Sequence, residues 1–329
     1  MSKIHEVCAA AIHAYPDHSI RALASLVYNE NPELFISYES ARNAIRYRKG
    51  KLGAQARADA KTKHKDTMTT KQAERSMPMP KSKAKPRKPY KLPQGKTLIL
   101  ADVHVPYHDD KALDVALEFG DSYEPDNILL NGDQMDFFSI SRWEKDPKLR
   151  NLSGELQAGR QFIQALRERY PNAQIIWKNG NHEERWEHYL WHKAPELCGS
   201  ADFELERILR FSEYGVQFVH GRQIIRAGKN LTIIHGHEVM SAADPVNFAR
   251  TLYTKMGVCT MGGHKHKTSE HSEKHGNDKF VTCWSIGTLQ EMHPEYAVLN
   301  KWNHGIATVE LDGNDFTVQN YRIINGKVV

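Results

Sequence analysis

The chain has 329 residues, 40% of them hydrophobic, which is enough for one large domain with a smaller companion and excludes a chain disordered throughout. Its four cysteines, Cys8, Cys198, Cys259 and Cys283, lie far apart with no C-x-x-C pair, which excludes a small disulfide framework and a cysteine zinc cage. The net charge of +5 hides an asymmetry: residues 1–96 carry 20 Lys or Arg against 8 Asp or Glu, a net +12, and the remainder carries 25 against 32, a net −7. A basic front on an acidic body is the footprint of a chain that meets a polyanion through one part, although a solubilising tail accounts for the same charges. No apolar run reaches the length of a membrane span and no secretory leader is read at the N-terminus, so a cytoplasmic protein with no membrane partner is expected.

Taken in order, Ile4, Val7, Cys8, Ala11 and Ile12 follow helical spacing, and Pro16 ends that helix. Ser19 reads as the N-cap of a second helix with Ile20, Leu23, Ala24 and Val27 inward, and Ser40 as the N-cap of a third with Ala41, Ala44 and Ile45 inward. The other face of the third helix shows Arg42, Asn43, Arg46, Tyr47 and Lys49. Three short helices with a basic, Asn-bearing third resemble a helix-turn-helix module over residues 1–50, those five residues being its nucleic-acid-binding candidates. A protein-docking module with a solvated basic face fits the same residues. Residues 51–95 turn to Lys, Ala, Thr, Ser and Pro with almost no large apolar side chain, which predicts a disordered basic linker whose charges attract phosphates without sequence preference.

From residue 96 onward, apolar strands end repeatedly at residues with oxygen or nitrogen donors. The run 97–101 ends at Asp102 and His104; 126–131 at Gly132, Asp133 and Asp136; 175–179 at Gly180, Asn181, His182 and Glu183; 231–234 at His235; and 258–262 at Gly263, His264 and His266. Helices are predicted over 110–120, 153–170, 183–191, 203–211 and 245–256, and strands over 280–286, 305–311, 316–324 and 327–329. Strand alternating with helix argues an α/β layered architecture, in which ligands bind at the carboxyl ends of the strands.

Collected in order, the strand-end residues read D-x-H, G-D-x-x-D, G-N-H-E, H and G-H-x-H. This resembles the five-part signature of the calcineurin-like metallophosphoesterases over residues 96–329; satisfied core histidines and capping carboxylates are the bland account of the same residues. The resemblance implies a four-layer αββα metallophosphoesterase sandwich, an α/β fold, preceded here by the small all-α helix-turn-helix-like domain and the linker. It implies two divalent ions, one held by Asp102, His104 and His266, the other by Asn181, His235 and His264, with Asp133 bridging. The mixed nitrogen and oxygen donors suit Mn, with Fe or Zn as alternatives. His182 matches the family histidine that protonates the leaving oxygen, with Asp136 placed to orient it.

Other side chains near these motifs are candidates for substrate contact: His108, Arg142 and Arg185, together with Phe137, Phe138 and Trp143, for which packing and solvated ion pairs are the ordinary explanations. His237 lies two residues beyond His235 and lacks the glycine that follows the family ligand, which assigns it to the surroundings of the site. Two departures bear on the substrate. Phe137 and Phe138 stand where protein Ser/Thr phosphatases carry Arg-Gly, and Glu183 stands where repair exonucleases carry aspartate. The function implied is a dinuclear-metal-dependent phosphoesterase, read as a phosphodiesterase or nuclease acting on nucleic acid, DNA favoured. The alternatives are a phosphomonoesterase acting on nucleotides or phosphoproteins, and a DNA-binding protein whose phosphoesterase body is structural. The layout resembles proteins common in bacteriophages and their hosts, which places it in the host cytoplasm if phage-encoded.

Overall fold

The computed structural model describes residues 2–52, 58, 79–239, 246–276 and 278–329. The chain divides into two compact units, residues 1–85 and 86–329. In the first, the apolar spacing produces three helices, α1 (Lys3–Ala14), α2 (Ile20–Glu30) and α3 (Tyr38–Arg48). They bury Cys8, Leu23, Val27, Ala41 and Ile45 around Phe35. Ser19 caps α2, its Oγ accepting from Ala22 N at 3.1 Å. The cap of α3 is Ser37 rather than Ser40: Ser37 is extended, and its Oγ accepts from Ser40 N at 3.2 Å. The sequence offers two serines at that boundary, and buried Phe35, two residues earlier, anchors the approach to the first of them.

Most of the expected linker, residues 53–57 and 59–78, lies outside the described residues. Its tail belongs to the second unit. Tyr90–Lys91 forms strand β1, which pairs in parallel with Ile225 and Arg226, and Leu92 is buried in the core behind it. The body therefore starts before residue 96. Two apolar residues among lysines and prolines were too short a run to read as a strand.

The remaining strands are β2 (Gly95–Leu100), β3 (Asn127–Asn131), β4 (Gln174–Lys178), β5 (Val216–Val219), β6 (Ile225–Ala227), β7 (Leu231–Ile233), β8 (Thr260–Gly262), β9 (Ser269–Lys274), β10 (Phe280–Ser285), β11 (Gly305–Asp312), β12 (Asp315–Ile324) and β13 (Lys327–Val328). They form two sheets, ordered β13-β12-β11-β2-β3-β4-β5 and β1-β6-β7-β8-β10-β9. Strands β2 to β5 are mutually parallel, as are β7, β8 and β10, while β11 to β13 and β9 run antiparallel to their neighbours.

The central strands are apolar on both faces, which is why they read as unbroken runs rather than alternating ones. Leu98, Leu100, Ile128, Leu130 and Trp177 share a core with Ala112, Leu113 and Ala116 of helix α4 (Asp110–Tyr123) and with Phe162, Ile163 and Leu166 of α5 (Leu152–Arg169). Trp186 and Leu190 of α6 (Glu184–Lys193) join the same cluster, as does Leu205 of the short α7 (Leu205–Ile208). From the opposite face, Ile99, Ala101, Leu129 and Ile176 meet Ile225, Leu231, Ile233, Met261 and Trp284 of the second sheet. Helix α8 (Phe248–Met256) covers that sheet's outer side through Phe248, Ala249 and Leu252, against Ile234 and Cys283. The order helix, sheet, sheet, helix is the expected αββα sandwich.

Differences from the predicted elements are local. The helix expected over 203–211 shrinks to α7 between single turns, and Pro245 of the helix expected from 245 lies outside the described residues, Asn247 being the cap of α8. Strand β9, Ser-Glu-His-Ser-Glu-Lys, has no apolar face and owes its conformation to six pairings with β10. No helix among the described residues is long and apolar enough to cross a membrane.

One close contact decides the sign of a substitution. A Cβ at Gly120 would lie 2.4 Å from Tyr170 Oη and 2.9 Å from Leu98 Cδ2, and that hydroxyl donates to Leu117 O at 2.8 Å. Gly120→Ala gains about 1 kcal/mol of helix propensity but overpacks this crossing at a cost of about 1–3 kcal/mol and displaces the tyrosine. We expect a melting temperature lower by roughly 2–6 °C, followed by circular dichroism. An unchanged or raised value would mean that Tyr170 gives way freely.

Candidate metal centre

Asp102, Asp133 and Asn181 lie just past the carboxyl ends of β2, β3 and β4, neighbours in the large sheet, and His235, His264 and His266 just past β7 and β8, neighbours in the small one. The turns that deliver them are tight. Asp102, His104, Asp133, Phe137, His264 and His266 all have positive φ, between 51° and 69°, a region that costs about 1–2 kcal/mol for a non-glycine residue and persists where surrounding contacts over-determine it. The glycine of G-N-H-E is required by space: a Cβ at Gly180 would stand 2.2 Å from Asp133 Oδ1.

The seven expected ligands converge. Donor atoms of Asp102, His104 and His266 lie within 4.8 Å of one another, as do those of Asp133, His235 and His264 and those of His104, Asp133 and His182. Asp133 thus belongs to two groups. His266 Nε2 is 3.2 Å from Asp102 Oδ1, His235 Nε2 is 3.2 Å from Asp133 Oδ2, and Asn181 Oδ1 is 3.3 Å from His235 Nε2. Two imidazoles have their tautomers set from behind. His235 Nδ1 donates to Asn131 O at 2.8 Å, and His104 Nδ1 lies 3.1 Å from Asp136 Oδ2, so each turns Nε2 towards the cluster.

The electrostatics fit cations. Asp102, Asp133 and Asp136 are buried together with carboxyls held below their usual range: burial raises them, and the neighbouring imidazoles more than offset it. Burial pushes His235 down, but Asp133 and Asp102 bring it up to about 10, so in the absence of an ion it holds a proton amid the carboxylates. Burial, with the charge of His235 beside it, keeps His264 neutral, down to about 3, its lone pair available to a metal. Buried carboxylates, imidazoles and one amide oxygen form the mixed donor set expected for divalent ions.

His182 is neutral as well, brought down to about 3 by burial, with His104 and Arg185 repelling a further charge. Its Nδ1 donates to Asp136 O at 2.9 Å, and its Nε2 accepts from Arg185 Nη2 at 2.8 Å. Asp136, expected to orient His182, meets it through its backbone. The carboxylate is instead closer to His104, 3.1 Å against 3.6 Å to His182 Nδ1, and the backbone carbonyl takes the hydrogen bond from His182. Arg185 Nη1 donates to that same carbonyl at 2.8 Å, so the arginine bridges Asp136 and His182.

Of the other candidates, His237 lies beside the donors, its ring centroid 5.3 Å from that of His235 and 6.3 Å from that of His264. His237 pairs with Glu184 at 3.3 Å, His108 with Asp110 at 3.3 Å, and the Arg142 guanidinium lies 5.0 Å from the Trp143 ring. In the first unit, Asn43 and Tyr47 are exposed, Arg46 is half-buried, Arg42 pairs with Glu39 at 2.6 Å, and Lys49 donates to Pro16 O and His18 O. Lys49 thereby ties α3 to the turn between α1 and α2.

Sequence reading missed the residues that hold the ligand loops. Glu183 is fully buried, and its carboxylate accepts from four backbone N–H groups: Asp133 at 2.9 Å and Gly180 at 2.8 Å on one oxygen, Gln134 at 2.7 Å and Met135 at 3.0 Å on the other. Four donors fit the charged, acceptor-only form. Its place directly after G-N-H was the available signal. Lys178, fully buried, pairs with Glu238 at 2.8 Å, and Glu238 accepts from Gly236 N at 2.7 Å. Thr288 and Leu289 both donate to Asp102 O.

No family model matches the chain. The "Gene 54 protein" of Mycobacterium phage L5 is 27% identical over 244 residues, 70% of this chain and 94% of that protein, and its counterpart in Mycobacterium phage D29 is 27% identical over 245 residues, with the same coverage. Among solved structures, a single mutant of Vps29 from Entamoeba histolytica is similar at a TM-score of 0.37 with 16% identity, covering 71% of this chain and 96% of that one. A dimetal phosphatase from Danio rerio is similar at 0.35 with 10% identity, covering 70% and 96%. The phosphoesterase Yfce from E. coli is similar at 0.30 with 13% identity, covering 68% and 98%.

Glu183→Gln tests the loop anchor. An amide offers one acceptor oxygen and turns its NH2 group towards two backbone donors, leaving buried N–H groups unpaired at a cost of about 2–4 kcal/mol. The variant is expected to melt several degrees lower and to retain less metal after desalting, measured by elemental analysis. Wild-type melting with full metal retention would remove Glu183 from this role.

Proposed function

We propose that the chain is a dinuclear-metal-dependent phosphoesterase and that its substrate is a phosphodiester of a nucleic acid, DNA before RNA. The observation that carries the reading is that Asp133 lies in two donor groups, one with His104 and His182 and one with His235 and His264, while His104 also joins Asp102 and His266, and Asn181 Oδ1 lies 3.3 Å from His235 Nε2. The mixed nitrogen and oxygen donors suit Mn, Fe or Zn, and Mn is the ion proposed. Two ions bound there would supply positive charge to the phosphate oxygens and lower the pKa of an attacking water.

The chain's own residues do the rest. Asp136 holds His104 by its carboxylate, Asn131 O holds His235, and Glu183 fixes the loop that presents Asp133. Arg185, partly buried at 20% exposure, is the cation beside these groups that an incoming phosphate meets. A phosphate oxygen that draws the guanidinium away from His182 Nε2 frees that nitrogen and brings a negative charge next to it. Both changes raise the imidazole's pKa, so Nε2 takes up a proton from solvent and delivers it to the leaving oxygen while Nδ1–H stays on Asp136 O. The basic front unit is proposed to bring nucleic acid to the body through Asn43, Arg46 and Tyr47 of α3. Relatives in two phages support a phage protein working in the cytoplasm of an infected host.

The test is hydrolysis by the Mn²⁺-loaded protein of bis(p-nitrophenyl) phosphate, p-nitrophenyl phosphate and DNA. Asp133→Asn is expected to lose metal and at least about 10³-fold in turnover. His182→Asn is expected to slow cleavage of an unactivated nucleotide ester by about 10²-fold or more, and of a nitrophenyl ester much less, because nitrophenolate leaves without a proton. Full metal content and activity in the Asp133 variant would sink the reading, and equal losses on both ester types would move His182 from proton donation to phosphate binding.

Deleting residues 1–85 removes a unit with its own core. It is expected to leave nitrophenyl ester hydrolysis nearly unchanged while weakening DNA binding and flattening its dependence on salt, since fewer counterions are released. Equal affinity and equal salt slope in the two proteins would assign the front unit to another partner.

A further inference from the structure

The loops around the metal centre carry aromatic side chains that the core does not need. The Trp302 ring stands 4.3 Å, centroid to centroid, from the ring of His266, and Tyr296, 61% exposed, lies 6.3 Å from Trp302. The Tyr296 hydroxyl is fixed by Gln290 Nε2 at 2.6 Å. Beside another donor of the same group, Tyr107 lies three residues after His104 and Phe138 two after Asp136, and their rings meet at 5.7 Å. Tyr107 is 39% exposed, and its backbone is tied to His104 O and to Glu291 N, which links this pair to the segment that carries Tyr296. Cations interleave with the rings. Lys145 Nζ lies 5.4 Å from the Phe138 ring, the Arg142 guanidinium 5.0 Å from the ring of exposed Trp143, and Arg185 stands on His182. Single exposed aromatics are ordinary. Several beside a phosphate-type metal centre, with three cations among them, match a ligand that alternates flat apolar faces with negative charge.

We propose that Tyr107, Phe138, Tyr296 and Trp302 form a base-stacking rim, and that the substrate is single-stranded nucleic acid whose unpaired bases lie on these rings while a backbone phosphate enters the metal centre. The inference rests on the phosphoesterase reading and narrows its substrate. Every base has a π face, so such a rim binds strands without reading their sequence, each stacked base being worth about ten-fold in affinity. In a duplex those faces are covered by neighbouring base pairs, and exposing one requires unstacking and unpairing. The rim therefore selects unpaired strands over duplex, and base-bearing strands over a bare sugar-phosphate backbone.

The test compares the full-length, Mn²⁺-loaded protein on three substrates of equal length: oligothymidylate, the same backbone made of abasic tetrahydrofuran residues, and oligothymidylate annealed to its complement. The expected result is a kcat/KM at least about ten-fold lower on the abasic strand and on the duplex. Trp302→Leu and Tyr107→Leu are expected to bring the ratio of base-bearing to abasic rates towards one, and Trp302→Phe to preserve it. These variants separate the rim from any preference of the front unit. A phosphorothioate oligothymidylate is expected to quench tryptophan fluorescence more than its abasic counterpart, and less so in Trp302→Phe. A wild-type ratio near one, or variants that lower both rates by the same factor at unchanged metal content, would overturn the rim. Hydrolysis of bis(p-nitrophenyl) phosphate with none of the oligonucleotides would overturn this inference and the DNA substrate while leaving the phosphoesterase reading standing, whereas no hydrolysis of any ester would overturn the phosphoesterase reading beneath it.

Discussion

Three carboxylates are buried within reach of one another at the meeting edge of two sheets, and the surrounding structure answers that concentration of negative charge. Asp102, Asp133 and Asp136 are each at most 3% exposed. An isolated carboxylate in such a place would take up a proton. Here imidazoles of His104, His235 and His266 reach the carboxylates instead, and where ions are lacking His235 holds the proton that a cation would replace. The cluster is complete only when both sheets contribute, because the aspartates come from β2 and β3 and three of the histidines from β7 and β8. Fold and site are thus one constraint: the αββα stacking brings the two sets of strand ends together, and the charges they carry reward that register.

The metal donors were legible because each follows an apolar run buried on both faces, and several are preceded by glycine. Ile99 and Leu100 before Asp102, or Ile128 to Leu130 before Asp133, mark plainly where a strand ends. The layers were legible for the same reason. What the sequence concealed is what depends on distant partners. Glu183 looks like any acidic residue at a helix start, and only the fold brings the Asp133 loop onto its carboxylate. Asp136 sits where a partner for His182 belongs, yet the turn through Phe137 aims its carboxylate at His104. Strand β9 has no apolar pattern, because edge pairing alone makes it a strand. The choice between Ser37 and Ser40 turned on buried Phe35, a tertiary contact invisible to local spacing.

Stability and chemistry draw on the same loops. Six residues in left-handed backbone are concentrated where the donors are, and two of them, Asp133 and Asp102, are held by the hydrogen bonds to Glu183 and by the bonds of Thr288 and Leu289 to Asp102 O. A loop free to relax would turn its ligand out of the cluster; here relaxation would also strand backbone N–H groups in the interior. Substitutions at these anchors therefore act on ligand position and on folding together, which separates them from changes at the exposed rings of Tyr107 and Tyr296.

Lys178 and Glu238 belong to different sheets, the lysine ending β4 and the glutamate following β7, and Lys178 is shielded from solvent altogether. Replacing either partner by a neutral side chain would leave the other charge buried without its counter-charge, a penalty of about 3–5 kcal/mol. The pair works as a rivet between the two halves of the ligand cradle. The spacing between the two donor groups is consequently a property of the polypeptide, set before any ion binds.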